Sequence, residues 1–240
     1  MSAYRQNPLA NLTPVVKNLI IINIIFFVGT WFLKQTAAID LTEHLAAYYF
    51  NSPYFKVWQI ISYMFMHAGL MHIFFNMFAL FVFGPMLEYT MGPKRFLQYY
   101  FITGIGALLL QMMVQAYEVH QAIGTFIIPG GDITPYLNQP GYSLLESIYG
   151  PNGGIVGASG AIFGLLVAFG MMFPNVELFI MFIPLPVKAK YAVIGYIVWE
   201  LYGGLSPTPG DSVAHFAHLG GALVGFILIK IWGRSRPNNF

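Results

Sequence analysis

The sequence contains no cysteine, which excludes disulfides, a thiolate metal site and a cysteine nucleophile. Charge is nearly as scarce. Eleven Lys and Arg with nine Asp and Glu make 8% of 240 residues, where a soluble domain carries about 25%. That leaves too little polar surface to cover a water-soluble core, and too few basic residues to grip a nucleic acid. It also excludes a disordered chain, which needs high charge and low hydrophobicity. An internal repeat at a fixed period is missing too. What is abundant is apolar: 57% of the residues are hydrophobic and the mean hydropathy is +0.65. The expectation is an all-α, multi-pass membrane protein forming one domain over residues 1–240.

A helix needs about 20 apolar residues to cross a bilayer core. Six segments read as spans, near residues 15–33, 70–88, 96–117, 154–173, 191–202 and 215–232. Arg5 and Lys17 flank the first in the manner of a signal peptide, but the chain stays membrane-like beyond it, so a retained span is expected. Residues 35–66 read as an amphipathic surface loop with short helices. Residues 119–153, with turn pairs Pro129-Gly130 and Pro151-Asn152, read as a second loop. Residues 174–190, with Pro184 and Pro186, read as an irregular connector.

The basic residues orient these spans. With the N-terminus inside, the inner segments hold Arg5, Lys17, Lys94, Arg95, Lys188, Lys190, Lys230, Arg234 and Arg236, and the outer ones only Lys34 and Lys56. Positive charge stays on the cytoplasmic side, so both termini are expected there. Spans two, four and six then begin at the outer face.

Polar residues inside spans are costly and mark functional candidates. His72 and Asn76, four apart, share one helical face. Ser159 sits early in span four within Gly157-Ala158-Ser159-Gly160, and His218 lies one turn into span six, followed by Gly220, Gly221 and Gly225. All four sit in the first turns of outward-starting spans. Singly, each has a plain explanation. A serine among glycines packs helices, Gly160/Gly164 and Gly221/Gly225 are ordinary small-residue contacts, a histidine can relay protons, and Asn76 can bond across helices. Together they are sharper. Glycine faces on spans four and six bring Ser159 near His218, and a serine needs such a base to become a nucleophile. His72, Asn76 and the Ser159 backbone N–H are then candidate oxyanion donors.

These residues resemble the rhomboid family of intramembrane serine proteases. The resemblance covers residues 15–232 and rests on Gly157-Ala158-Ser159-Gly160, His72-x-x-x-Asn76, the run from Ala217 to Gly225, and Gly84-x-x-x-Glu88-x-x-x-Gly92. It implies a Ser159–His218 dyad, His72 and Asn76 in the oxyanion hole, no cofactor or metal, and transmembrane helices as substrates, cleaved near the outer face. The family's base stands three and seven residues before two glycines; Gly221 and Gly225 fit His218 and not His215. His215 is expected to face a water-filled opening. Phe163, one turn below Ser159, is expected to stack on His218 where the family often has Tyr, so no phenol acts there. Trp58-Gln59 replaces the family's frequent Trp-Arg ahead of span two. No carboxylate is assigned as a third catalytic member: Asp211 lies in a loop, Glu200 is expected to bond within the bundle, and Glu88 to be structural near Lys94 and Arg95. Span five and the loop before span six are expected to admit substrate.

Two other readings stand beside the protease. One is a catalytically inactive rhomboid-like binder of membrane clients, and the other a small proton-coupled transporter, for which matching broken spans are missing. The compact form points to a bacterial plasma membrane. The oligomeric state is left open.

Overall fold

The computed structural model describes residues 12–179, 185–206 and 213–233. Helix α1, Pro14–Ala37, begins with Pro14, whose missing N–H costs nothing at that position. The orphan N–H groups of Val15 and Val16 donate instead to the two carboxylate oxygens of Glu88, at 3.1 and 2.9 Å. Only the stripe Val16, Leu19 and Asn23 is buried, while Ile21, Ile25 and Trp31 are exposed. Such a helix suits lipid, where an apolar exterior costs nothing.

The loop after α1 carries α2 (Thr42–Leu45) and α3 (Gln59–Ser62), the latter running into a 3-10 turn at Tyr63–Phe65. Its knot is Gln59, completely buried: the side-chain oxygen accepts the Lys56 N–H at 2.9 Å, and the amide donates to the Tyr54 carbonyl at 3.0 Å. The residue standing where the family often has arginine thus turns inward and holds the loop's own backbone. Trp58 donates its indole N–H to the His44 carbonyl at 3.0 Å.

Helices α4 (Leu70–Met91) and α5 (Pro93–Ile123) meet at Gly92, whose φ of 80° reverses the chain directly before Pro93. The region expected to be only loop, 119–153, contains the last turn of α5 and a further helix, α6, Tyr142–Tyr149. Leu145, Ile148 and Tyr149 form its buried face and pack on Tyr49 and Val119. Next come α7 (Ser159–Met172), the hairpin β1 (Glu177–Leu178) with β2 (Val187–Lys188), α8 (Ala189–Leu205) and α9 (His215–Trp232). Arg5, Pro184, Asp211, Arg234 and Arg236 lie outside the described residues.

Among the described residues, four helices, α1, α4, α5 and α9, are long and apolar enough to cross a membrane. The expected fourth span is instead a 14-residue helix, about 21 Å long at 1.5 Å per residue. It starts at Ser159 because the chain before it is tied elsewhere and turns sharply at Gly157, φ 127°. Ile155 exchanges backbone hydrogen bonds with Ala47 at 2.8 and 2.9 Å, and the Gly157 N–H reaches the Tyr63 carbonyl at 2.9 Å. The fifth expected span is the 17-residue α8, longer at both ends than the 191–202 expected.

Helix α7 is enclosed on nearly every side, with nine of its residues buried. Glycines permit this. A Cβ at Gly221 of α9 would run into the Gly160 carbonyl of α7, and one at Gly225 would lie 2.9 Å from the Gly164 Cα. One at Gly164 would meet the Thr103 Cβ of α5 at 2.6 Å. The expected glycine faces are therefore a three-helix seam of α5, α7 and α9. Tyr99 ties it by donating to the Gly164 carbonyl at 2.8 Å.

Candidate active site

Ser159 is the first residue of α7, so its N–H is among those a helix leaves without an internal acceptor. The chain reaches it through Gly157 at φ 127°, a conformation closed to other residues without strain. A Cβ there would also fall 2.7 Å from His72 Nε2. The sharp entry thus aims the serine and keeps the space before it open for an imidazole.

His218 enters from α9, one turn after the helix starts. Its Nε2 lies 2.8 Å from Ser159 Oγ, a full hydrogen bond. Phe163, one turn along α7 from the serine, stacks on the His218 ring with centroids 4.4 Å apart and planes 7° from parallel. The stack fixes the ring plane, as expected from the sequence, without any phenol.

His72 comes from the first turn of α4. The Ala68 N–H approaches its Nδ1 at 3.4 Å, so Nδ1 is the acceptor and Nε2 carries the proton. That Nε2–H is the nitrogen beside Gly157, hence a donor on the Ser159 side. Asn76 is 5% exposed, and its amide Nδ2 is buried with no acceptor among the described residues. An unused buried donor on the His72 face of α4 is what an oxyanion site would leave for its substrate.

One side chain differs from expectation. His215 was expected to face water, but its ring packs on Gly203 and its Nδ1 lies 2.7 Å from Glu200 Oε2. Glu200 does bond within the bundle. Yet the same oxygen is also 2.9 Å from His218 Nδ1, although that N–H does not point straight at it. Nitrogen–oxygen spacings this short are those of hydrogen bonds. Glu88 stands far from this site in the fold's logic: it caps α1 rather than turning to Lys94 or Arg95.

His67 is the residue the sequence reading passed over. It is 7% exposed, neither ring nitrogen has a hydrogen-bond partner among the described residues, and its ring lies edge-on to His72 at 5.0 Å. Burial, with the neighbouring His72 adding to it, pushes its pKa down to about 4. The available signal was its place five residues before His72, in the turn leading to α4.

A family model for the rhomboid domain matches residues 54–235. The chain belongs to the rhomboid family. The match takes in Ser159, His218, His72 and Asn76 together, along with the glycines of the seam. Curated relatives of this rhomboid include "Rhomboid protein 1, mitochondrial" of Saccharomyces cerevisiae, 27% identical over 70% of this chain and 40% of the relative. "RHOMBOID-like protein 1" of Arabidopsis thaliana is 30% identical over 72% of this chain and 34% of its own length. "Rhomboid protease AarA" of Providencia stuartii is 30% identical over 71% and 54%. This rhomboid therefore spans between about a third and just over half the length of these three relatives. One of the three names is mitochondrial and the other two state no compartment, so the bacterial plasma membrane expected from the sequence gains no support from them; what holds is a multi-pass membrane protein.

Proposed function

We propose that this rhomboid is an intramembrane serine endopeptidase using Ser159 as nucleophile and His218 as general base. The observation that carries the reading is the 2.8 Å contact of Ser159 Oγ with His218 Nε2, at the mouth of a helix whose free N–H groups face the serine. Membership of a family that includes a named protease supports it.

Chemistry follows from the geometry. Ser159 Oγ attacks the scissile carbonyl carbon while its proton passes to His218 Nε2. The carbonyl π pair becomes an oxyanion, for which the Ser159 N–H, His72 Nε2–H and Asn76 amide are the donors. The α7 N-terminus adds a positive dipole end. On collapse, the carbon–nitrogen bond breaks and His218 returns the proton to the leaving amine. Water, deprotonated by the same imidazole, then releases the acyl group and restores Ser159.

The proposed setting is one membrane domain of six crossing helices, α1, α4, α5, α7, α8 and α9, with both termini cytoplasmic and the site toward the outer face. A 14-residue α7 is too short for a hydrocarbon core of about 30 Å. The residues before it must share the crossing, and irregular backbone at membrane depth is tolerated where it is buried in protein or lines water. Such a recess supplies the hydrolytic water. The substrate class is a transmembrane helix that unwinds locally, since a helical peptide bond offers no extended backbone to a nucleophile. Reconstituted with a single-span substrate in liposomes, the wild type cleaves it once near the outer end, and Ser159→Ala and His218→Ala do not. Cleavage surviving Ser159→Ala overturns the proposal.

A further inference from the structure

Glu200 sits eleven residues after the start of α8, whose outer face is exposed and apolar, with Tyr191, Ile194, Val198, Trp199 and Tyr202 turned outward and Ala189, Ala192 and Val193 buried. Its carboxylate is 6% exposed. A carboxylate taken out of water needs partners, and here they are the imidazoles of His215 and His218, both on Oε2. Gly203 and Gly204, three and four residues on and so on the same face, seat the α9 rings. A Cβ at Gly203 would lie 2.5 Å from the His215 ring, and one at Gly204 3.1 Å from the Phe216 ring. The α8–α9 contact is thus shaped around this group of side chains.

We infer that Glu200 is a positioning residue of the Ser159–His218 reaction, acting as the third member behind the base, with His215 holding the same carboxylate oxygen. The inference rests on the proposed protease reading and deepens it. With Glu200 ionised, the neutral His218 places its one proton on Nδ1, facing the carboxylate. Nε2 is then left as a lone pair for the Ser159 hydroxyl. The opposite tautomer would present Nε2–H to the serine and an unprotonated Nδ1 to a negative oxygen, which is repulsive. When Nε2 takes the serine proton, His218 becomes an imidazolium between Phe163 and Glu200, and the carboxylate stabilises it without being protonated itself. The Nδ1–H of His218 is off line for Oε2 in the resting arrangement, but the 2.9 Å separation still sets the carboxylate charge directly beside the ring on which positive charge develops. His215 supplies a second hydrogen bond at 2.7 Å, which keeps the carboxylate from swinging away. Facing His218 from the packed helices are Ser159 of α7, His72 of α4 and Glu200 of α8, with His215 on its own helix.

The plain alternative is that Glu200 merely bonds His215 and staples α8 to α9. The two are separated by comparing Glu200→Gln, Glu200→Asp and His215→Asn with wild type and Ser159→Ala in liposomes. A positioning role lowers kcat of Glu200→Gln by roughly 10²-fold, with KM within about twofold. Glu200→Asp recovers most of that loss, and His215→Asn keeps activity within about tenfold. A kcat for Glu200→Gln equal to wild type, in protein of unchanged melting temperature, overturns the inference while Ser159→Ala, still inactive, leaves the protease reading standing. Activity in Ser159→Ala instead removes the reading beneath it. Should Glu200→Gln not fold, proton NMR of histidine-15N-labelled Ser159→Ala decides. Two downfield Nδ1–H resonances are expected, one lost on adding His218→Ala and the other on adding His215→Asn. A His218 imidazole protonated at Nε2 alone overturns the inference.

Discussion

Two buried carboxylates, Glu88 on α4 and Glu200 on α8, do opposite things with the same chemical group. Glu88, 2% exposed, accepts the backbone N–H groups of Val15 and Val16. Those donors cannot change protonation or move away, so the carboxylate is a fixed cap that joins α4 to the start of α1. Glu200, 6% exposed, is met among the described residues by two imidazoles, which can gain and lose protons, and one of them touches Ser159. A buried charge held by backbone is architecture. One held by titratable rings beside a nucleophile can take part in chemistry.

The comparison is tested first at the seam that brings α9 to Ser159. Gly221→Ala drives a methyl into the Gly160 carbonyl, and overpacking with no flexible neighbour to yield costs about 4 kcal/mol. Both melting temperature and cleavage should collapse. A stable, active variant would mean that close α7–α9 contact does not position the base. Next, Glu88→Gln loses the charge on a carboxylate that accepts two backbone N–H groups, and presents an amide donor to one of them. About 3 kcal/mol of stability should go, with kcat per folded molecule unchanged. This is the reverse of the Glu200→Gln pattern, and a selective loss of kcat in Glu88→Gln would erase the distinction between the two sites.

His67 gives the smallest effect and extends the contrast to a buried group with no partner among the described residues. With its folded pKa near 4 against about 6.5 when unfolded, it must be neutral in the fold. The stability tied to neutral His67 is fully present above pH 6.5 and is lost as pH falls toward 4. Between pH 7 and pH 5 the wild type should lose about 2 kcal/mol more than His67→Leu, read as the difference in thermal denaturation. Equal losses would show that His67 is not held neutral.

Much of this was legible without coordinates, and the reason differs by element. Ser159 and His218 could be paired because glycines at one-turn spacing mark where two backbones meet, and that pattern is local. The start of α7 was read five residues early, since residues 154–158 are as apolar as a span; what keeps them out of the helix is the pairing of Ile155 with Ala47 and of the Gly157 N–H with Tyr63, more than 90 residues away. Helix α6 hid between Gly141 and Gly150, although Leu145, Ile148 and Tyr149 have helical spacing. The partners of Glu200 depend on how α8 is rotated about its axis, and a short helix that is apolar nearly all round carries little signal of that rotation. Gln59 could be seen to break the Trp-Arg pattern, but its turn inward to the loop backbone could not.

The central claim is that Ser159 is a nucleophile activated by His218. A fluorophosphonate probe reports it most directly, since it bonds only to an activated serine and needs no substrate. The account predicts that the membrane-reconstituted wild type is labelled once, with the adduct mapped to Ser159 by peptide mass spectrometry, and that Ser159→Ala and His218→Ala are not labelled. An adduct on another residue, or undiminished labelling of folded His218→Ala, would contradict it.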